Sequence, residues 1–211
     1  MTPYYQDKYV TLYCGDCREV LPQLSQRVEL VLTDPPYPRE FDHVWDAFVD
    51  DIPNCMTDNA FAVSFLGHYQ LPRVLDCMSQ NMEYYWCAQL PNNNQPILCG
   101  VDAKCCWKPC LIFRKGKARP ERVFFDNFGL RVKCRSWQKS QSLHKWGQAE
   151  SMMFEPIEAF CPQGGTILDP FAGGGTTLAM KANCVCAVDW HLGIADLDAC
   201  DMREQLQCLQ K

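Results

Sequence analysis

The sequence has no run of 18 apolar residues, and its first residues, MTPYYQDKYV, lack the charged-then-apolar order of a secretion signal. It also shows no internal repeat and no low-complexity run. These absences argue against a membrane-spanning or secreted protein and predict a cytoplasmic one. The 211 residues, 47% of them hydrophobic, suffice to bury one sizeable core.

Paired Cys-x-x-Cys units are missing as well. The fifteen cysteines include one such unit, Cys14 with Cys17, and a cluster between residues 99 and 110 without that spacing. Structural zinc sites use paired units, so we expect no metal, although a zinc-stabilised nucleic-acid-binding module stays open and would contain stoichiometric zinc. The odd count, with cysteines inside apolar segments such as VCAV, favours free thiols in a reducing compartment.

Negative charge predominates overall, with a net value of −5, but one segment is basic. Residues 104–145 contain twelve basic side chains and two acidic ones, Glu121 and Asp126, with aromatic residues interleaved. This mixture suits a nucleic-acid surface, where phosphates are neutralised and bases stack, and it also suits an ordinary solvated face. The candidate DNA contacts are Lys104, Lys108, Arg114, Lys115, Lys117, Arg131, Lys133, Arg135 and Lys139.

Strand-like and helix-like segments alternate along the chain. The segments YVTLYCGD, VELVLTD, FAVSFLG, YYWCAQL and CLIFRKG predict strands, with Pro109 placing the fifth at a sheet edge or marking its start. The segments REVLPQLSQR, YQLPRVLDCMSQN, ESMMFEPIEAFC and residues 191–209 predict helices, and Pro156 predicts a kink or boundary in the third. This alternation predicts an α/β fold with a mostly parallel central sheet and helices on both faces.

The stretch LTDPPYP, residues 32–38, follows the apolar strand VELVL. Neither Pro35 nor Pro36 can donate to a β-ladder, and both have a fixed φ, so the strand must stop there. Asp34 and Tyr37 are therefore held rigidly at the end of a strand.

The stretch ILDPFAGGGTT, residues 167–177, follows a second buried strand. Three consecutive glycines lead into a helix, which lets the backbone approach a ligand and exposes helix N-terminal amides. The next strand ends at Asp189, where a carboxylate can accept the hydroxyls of a ribose. The pattern resembles a nucleotide-binding βαβ unit but lacks the full G-x-G-x-x-G spacing.

Together, DPPY at 34–37 and DPFAGGGTT at 169–177 resemble the DNA amino-methyltransferases that use S-adenosylmethionine. The order resembles the permuted group, in which the catalytic tetrapeptide precedes the cofactor loop. Phage-borne members are similar in style, which implies a bacterial or phage-infected host cell. LYCGDCREVLP, residues 12–22, is similar to a short element of that group, and HKWGQAESMMFEPIEAF, residues 144–160, occupies the place of its helical cofactor motif. The resemblance implies a Rossmann-like methyltransferase fold.

The resemblance also implies a mechanism for Asp34, Pro35, Pro36 and Tyr37. The amino group of adenine is a poor nucleophile because its lone pair is delocalised into the ring. Hydrogen bonds accepted by Asp34 and by the Pro35 carbonyl would free that lone pair, and the double proline preorganises the acceptors. Tyr37 would stack on the base after the base leaves the duplex. Extrusion of the base costs a few kcal/mol, and stacking on Tyr37 offsets this cost by about 1 to 3 kcal/mol.

For the cofactor, the resemblance implies a site built from both ends of the chain. Asp16 and Cys17 would lie near the adenine ring, with Cys17 contributing mainly backbone, and Asp189 would hold the ribose hydroxyls. Asp169 would contact the methionine amino group or cap the glycine turn. The remaining cofactor positions are Phe171, Gly173, Gly174, Gly175, Thr176, His144 and Gln148, although KWGQ departs from the proline-containing form usual in the family.

Asp at the first tetrapeptide position is typical of adenine N6 enzymes, which makes a DNA adenine methyltransferase the expected activity. The alternatives are a cytosine N4 enzyme, an RNA amino-methyltransferase, and a catalytically inactive partner subunit of the same fold. We expect one domain, 1–211, with a basic target-recognition insertion at about 100–146. That insertion is short, which predicts a brief recognition sequence, loose specificity, or a homodimer or second subunit.

Overall fold

The computed structural model of the protein describes residues 1–91, 97–98, 102–129, 151–172, 177 and 185–189. Of residues 97, 98, 151, 152 and 185–189 it describes the backbone alone. The helix predicted over 191–209 lies outside these residues. No helix in the described part of the chain is long and apolar enough to cross a membrane.

Strands and helices alternate through the described residues, as the sequence predicts. The strands are β1 Tyr5–Gln6, β2 Val10–Cys14, β3 Val28–Thr33, β4 Met56–Phe65, β5 Glu83–Pro91, β6 Ile97–Leu98, β7 Ala103–Lys104, β8 Trp107–Lys115, β9 Ile167–Asp169 and β10 Val185–Asp189. The α-helices are α1 Cys17–Val20, α2 Asp51–Cys55, α3 Leu71–Ser79 and α4 Ser151–Phe160. The 3-10 helices are Leu21–Gln23, Arg39–Phe48 and His68–Gln70.

One sheet organises the fold, with the strand order β1-β2-β10-β9-β3-β4-β8-β5. The five strands from β2 to β4 in this order are parallel, whereas β1, β8 and β5 pair antiparallel with their neighbours. A mostly parallel sheet with a few antiparallel strands at its ends is an α/β arrangement. The predicted fold class is confirmed.

Both faces of the sheet are buried, because successive side chains of a strand point to opposite sides. In β3, Leu30 and Leu32 join a core cluster with Phe160 of α4, while Val31 joins a second cluster. That second cluster includes Val74 and Met78 of α3. Each fully buried side chain of this size contributes roughly 1.5–3 kcal/mol to folding.

The positions of two prolines decide between the alternatives predicted for them: Pro109 lies near the start of its strand rather than at a sheet edge, and Pro156 marks no helix boundary. Pro109 is the third residue of β8, which lies between β4 and β5 and is therefore not an edge strand. Its position near the start of the strand limits the loss to one ladder donor, and its carbonyl still accepts from Leu66 N at 3.2 Å. Pro156 lies inside α4, which runs unbroken from Ser151 to Phe160, so no helix boundary occurs there.

The order of the strands creates a switch point between β9 and β3. From β3 the chain proceeds to β4 on one side, and from β9 it proceeds to β10 on the other. In open parallel sheets, ligands bind outside the carboxyl ends of the strands at such a point. We call this side of the sheet, where β2, β10, β9, β3 and β4 end, the carboxyl edge.

Candidate functional site

The tetrapeptide begins at the carboxyl edge, directly after β3. Pro35 is buried, and Asp34, Pro36 and Tyr37 are half-buried. The Tyr37 hydroxyl donates a hydrogen bond to Asp34 Oδ1. Burial, followed by the charge of Asp34, raises the pKa of Tyr37 well above its usual value. The phenol therefore keeps its proton and acts as the donor.

Gln70 fixes the backbone of the tetrapeptide from the turn after β4. Its side chain is 2% exposed, and its Nε2 donates to the Tyr37 carbonyl at 3.3 Å and to Asp42 Oδ1 at 3.2 Å. Its Oε1 accepts from Gly67 N at 3.1 Å. Sequence reasoning missed Gln70, because nothing local in YQLPR indicates a partner 33 residues away.

A buried carboxylate joins the two motifs. Asp169 ends β9, is 3% exposed, and accepts from Thr33 Oγ1 at 2.7 Å, Thr177 Oγ1 at 2.6 Å and Phe171 N at 3.1 Å. Burial raises its pKa to about 6, against the opposing effect of these donors. Thr33 directly precedes Asp34, so this hydrogen bond places the tetrapeptide beside the strand that leads into the glycine loop.

Of the two roles considered for Asp169, the contacts fit a cap of the glycine turn. Both carboxylate oxygens receive hydrogen bonds from within the protein, and two of the donors, Phe171 N and Thr177 Oγ1, belong to the segment that contains the glycines. Phe171 is 9% exposed and packs in the core cluster with Val31.

The end of β2 holds the predicted adenine-side residues. Asp16 caps α1 by accepting from Arg18 N at 2.9 Å, and it pairs with the Arg18 guanidinium at 2.5 Å. The Arg18 hydrogen bond holds the pKa of Asp16 below its usual value. Cys17 is 1% exposed, and burial raises its pKa to about 12, so it is a neutral thiol.

The end of β10 lies next to this turn. Asp189 is its last residue and pairs in parallel register with Cys14, two residues before Asp16. The backbone therefore places Asp189 and Asp16 at neighbouring strand ends on the carboxyl edge. The remaining predicted cofactor positions, Gly173, Gly174, Gly175, Thr176, His144 and Gln148, lie outside the described residues.

Those predicted DNA contacts that the structure describes do not form one surface. Lys104 is exposed on β7, and Lys108 is half-buried at the start of β8, against Tyr37. Arg114 and Lys115 end β8 at the opposite side of the sheet, roughly 20 Å from Lys108 at about 3.4 Å per residue. Lys117 follows them and is exposed. Arg131, Lys133, Arg135 and Lys139 lie outside the described residues.

Arg114 and Lys115 already have partners within the protein. Arg114 Nη2 pairs with Glu83 Oε1 at 2.7 Å. Lys115 Nζ donates to the carbonyls of Pro53 at 2.9 Å and Met56 at 3.1 Å. The structure therefore separates these two residues and Lys117 from the carboxyl edge.

Exposed aromatic side chains lie on the segments next to the tetrapeptide; of these, the sequence indicates Trp107, as one of the aromatic residues of the basic segment, but not Tyr69. Tyr69 follows the end of β4 and is 45% exposed, with the Arg39 guanidinium 5.4 Å from its ring centroid. Trp107 starts β8, is 36% exposed, and makes an edge contact with His68 at 4.6 Å. We call Arg39, His68, Tyr69 and Trp107 the aromatic rim.

The described residues contain no group of three or more His, Cys, Asp or Glu side chains placed to hold a metal ion. Cys14 is exposed and Cys17 is buried, and neither forms a disulfide within the described part of the chain. Cys99 and Cys134 lie outside the described residues.

The comparisons with known proteins establish the fold. No family model and no curated protein sequence matches the chain. The M1.HpyAVI–SAM complex matches with a TM-score of 0.72 at 16% identity, over 96% of this chain and 99% of that one. PvuII DNA methyltransferase, which is cytosine-N4-specific, matches with a TM-score of 0.71 at 14% identity, over 98% and 94%.

A third structure, of TTHA0409 from Thermus thermophilus complexed with S-adenosyl-L-methionine, matches with a TM-score of 0.63 at 18% identity, over 94% of this chain and 93% of that one. At such low identity these likenesses define the fold and transfer no residue roles. The chain has a Rossmann-like methyltransferase fold.

Proposed function

We propose that this protein is a DNA methyltransferase that transfers a methyl group from S-adenosylmethionine to the exocyclic amino group of a flipped base, adenine N6. The observation that carries the proposal is the 2.7 Å hydrogen bond from Thr33 to Asp169. It joins the DPPY segment to the strand that enters the glycine loop, at the switch point of the sheet. An amine acceptor and a cofactor loop would then face one cleft.

In this proposal the tetrapeptide acts on the target amine. Asp34 and the Pro35 carbonyl accept hydrogen bonds from the amino group, which keeps its lone pair available for attack. The fixed φ of the prolines and the Gln70 contact hold these acceptors in place before the base arrives. A carboxylate has about four lone-pair sites. The hydrogen bond from Tyr37 therefore does not prevent the Asp34 carboxylate from accepting hydrogen bonds from the amino group.

The described residues fit a nucleotide-containing cofactor at the carboxyl edge. Asp16, Cys17 and Asp189 lie at adjacent strand ends, where adenine and ribose would be held, and Phe171 leads into the glycine loop. S-adenosylmethionine supplies an electrophilic methyl group when bound. In this proposal Asp169 caps the glycine turn, because its oxygens accept from Thr177 and Phe171 as well as from Thr33.

We further propose the permuted motif order and a single domain over 1–211, with the segment at about 100–146 contacting DNA. The order follows the chain, since the DPPY segment precedes DPFAGGGTT. The aromatic rim supports a DNA surface beside Tyr37, because exposed aromatic and basic side chains suit an unstacked nucleic-acid strand. A homodimer or second subunit would supply the rest of the recognition surface.

The assignment to adenine rests on Asp34, and cytosine N4 is the alternative base. Nucleoside analysis of DNA from cells expressing the protein distinguishes them. We expect N6-methyladenine above the level of cells expressing the Asp34→Ala variant. N4-methylcytosine in its place would correct the base, and methylated RNA with unmodified DNA would correct the substrate.

A catalytically inactive partner subunit is the second candidate, and Pro156 inside α4 favours it, because this helix lies in the segment 144–160 that departs from the usual form of the family. Calorimetry with S-adenosylmethionine separates the two functions. We expect saturable binding heat with one site per chain, whereas a subunit that has lost its cofactor site gives none.

A further inference from the structure

The backbone on both sides of Lys108 is held by hydrogen bonds. The carbonyl of Trp107, the preceding residue, accepts hydrogen bonds from His68 Nε2 at 2.7 Å and from Cys105 Sγ at 3.1 Å. On the other side, Pro109 restricts the chain, and its own carbonyl accepts from Leu66 N. The start of β8 is therefore anchored to the turn after β4.

The Lys108 ammonium reaches the hydroxyl end of Tyr37. Its Nζ lies 3.2 Å from Tyr37 Oη and 4.6 Å from the ring centroid, so it sits beside the hydroxyl rather than over the centre of the ring. The side chain is half-buried, and its ammonium group is engaged with Tyr37.

Only one assignment of donors and acceptors is consistent with this contact. An ammonium group has donors and no acceptor, so Tyr37 Oη must accept from Lys108. The phenol proton must then point away from Lys108, and it is donated to Asp34 Oδ1. The result is a chain of two hydrogen bonds, from Lys108 to Tyr37 to Asp34, that holds the carboxylate as an acceptor.

We infer that Lys108 is a positioning residue for methyl transfer, which acts through the Tyr37 hydroxyl to orient the phenol and to hold Asp34 in its acceptor geometry. This inference rests on the proposed function, and it replaces a phosphate contact as the role of Lys108. Truncating Lys108 would leave the phenol free to turn its proton elsewhere, so Asp34 and the stacking ring would both lose their fixed placement.

A double-mutant cycle tests this role, because a residue that acts only through Oη should have no further effect once Oη is removed. The variants are Lys108→Met, which keeps the aliphatic stem, Tyr37→Phe, which keeps the stacking ring, and both together. Lys8→Met is the matched control, since Lys8 Nζ lies 5.0 Å from the ring centroid of Tyr9 at the opposite side of the sheet. Lys108→Arg retains a donor and tests for rescue.

Urea unfolding gives a readout that needs no activity. We expect Lys108→Met to raise the unfolding equilibrium constant by about tenfold in the wild-type background and by less than about threefold in the Tyr37→Phe background. Lys8→Met should shift unfolding equally in both backgrounds. Equal effects of Lys108→Met in the two backgrounds would overturn the inference, whatever activity the wild type shows.

Methyl-transfer kinetics give the second readout. We expect Lys108→Met to lower kcat about tenfold or more, with the KM for DNA within about threefold, and to have no further effect in Tyr37→Phe. Lys108→Arg should recover part of kcat. A loss confined to DNA affinity, with a salt slope lower by about one, would instead mean a phosphate contact and overturn the inference.

The two readouts separate this inference from the proposed function. If unfolding shows the coupling while the wild-type protein transfers no methyl group to DNA or RNA, the proposed function fails and the role in methyl transfer fails with it. If the wild type is active, but Lys108→Met changes the unfolding equilibrium constant and kcat by the same factors in the wild-type and Tyr37→Phe backgrounds, only the inferred role of Lys108 fails.

Discussion

Asp169 is almost completely buried and accepts hydrogen bonds from three donors. Burial and hydrogen bonding have opposite effects on its pKa. Burial disfavours the charged carboxylate, whereas Thr33, Thr177 and the Phe171 amide favour it, and the pKa of about 6 shows that burial dominates. The native state therefore binds the proton of Asp169 more tightly than the unfolded chain does, whose reference pKa is 3.8.

This difference predicts a pH-dependent stability. Between about pH 4 and pH 6 the native state holds more protons at this site than the unfolded state, so the contribution of Asp169 to stability falls as the pH rises. In Asp169→Asn the site does not titrate. We expect the stability of the wild type relative to Asp169→Asn to fall by up to about 3 kcal/mol from pH 4 to pH 7.

Urea denaturation of both proteins at several pH values measures this difference. A stability difference that stays constant from pH 4 to pH 7 would show that Asp169 titrates alike in the folded and unfolded chains. An increase with pH would mean that the three donors outweigh burial.

At the residue scale, the sequence indicated the side chains of the two motifs, missed Gln70, and indicated Lys108 only as a candidate DNA contact. Asp34 and Tyr37 stand out because two prolines follow a strand, which is a local signal. Gln70 and Lys108 reach the tetrapeptide from positions 33 and 71 residues away along the chain. Only the pairing of β3, β4 and β8 brings them there, so no local pattern could reveal them.

At the element scale, Thr33 links β3 to the loop that follows β9. The backbones of these strands pair at Leu30 with Ile167 and at Val31 with Leu168, and the Thr33 side chain continues the connection beyond the ladder. Thr33→Val keeps the shape and removes the donor. We expect it to lower the free energy of unfolding by about 1–3 kcal/mol at pH 7, where Asp169 is ionised.

Thr57→Val is the matched control for this prediction. Thr57 is half-buried at the amino end of β4, away from Asp169, and we expect a change within about 0.5 kcal/mol. Equal effects of the two substitutions in urea denaturation would mean that the hydrogen bond from Thr33 to Asp169 adds nothing to the joining of the two motifs.

The basic segment is divided between two sides of the sheet, because β8 is a single long strand. Its first residues lie at the carboxyl edge and its last residues, Arg114 and Lys115, at the opposite side. All of these residues fall into one basic group when their charges are counted along the chain. A count of charges along the sequence takes no account of strand length. A long strand carries residues that are close together in the chain to opposite sides of the sheet.

We expect the DNA contacts of this segment to come from its later part. Neutralising Lys133 and Arg135 to Gln should reduce the salt slope of DNA binding by about 1 to 2 units. Lys117→Gln, on the far side of the sheet, should leave that slope within experimental error. Fluorescence titrations over a series of salt concentrations measure it, and an unchanged slope for the double variant would remove the two residues from the interface.

At the scale of the whole molecule, the alternation of strands and helices was sufficient to predict the α/β class. This alternation also accounts for the five parallel strands, β2, β10, β9, β3 and β4, since a helix between two strands returns the chain in the same direction. The antiparallel placement of β8 between β4 and β5 did not follow, because Pro109 left both a sheet edge and the start of a strand open. Which strands become neighbours depends on long-range packing, and this decides where the switch point lies.

The switch point explains why two segments more than 130 residues apart in the chain can form one site. The carboxyl ends of β3 and β9 are adjacent, so Asp34, which follows β3, and Asp169, the last residue of β9, lie at the same edge. The strand ends of β2 and β10 extend this edge with Asp16 and Asp189. The proposed acceptor of the amine and the proposed cofactor residues thus line one side of the sheet.

The most direct test is the transfer of a labelled methyl group from S-adenosylmethionine to DNA, measured with the wild-type protein and with Asp34→Ala, alongside the cofactor affinity of each by calorimetry. We predict label on the adenine amino group with the wild type, at least about a hundredfold less with Asp34→Ala, and cofactor affinities within a few-fold of each other. Equal transfer by the two proteins, or no transfer by a wild-type protein that binds the cofactor, would contradict the proposed amino-methyltransferase activity.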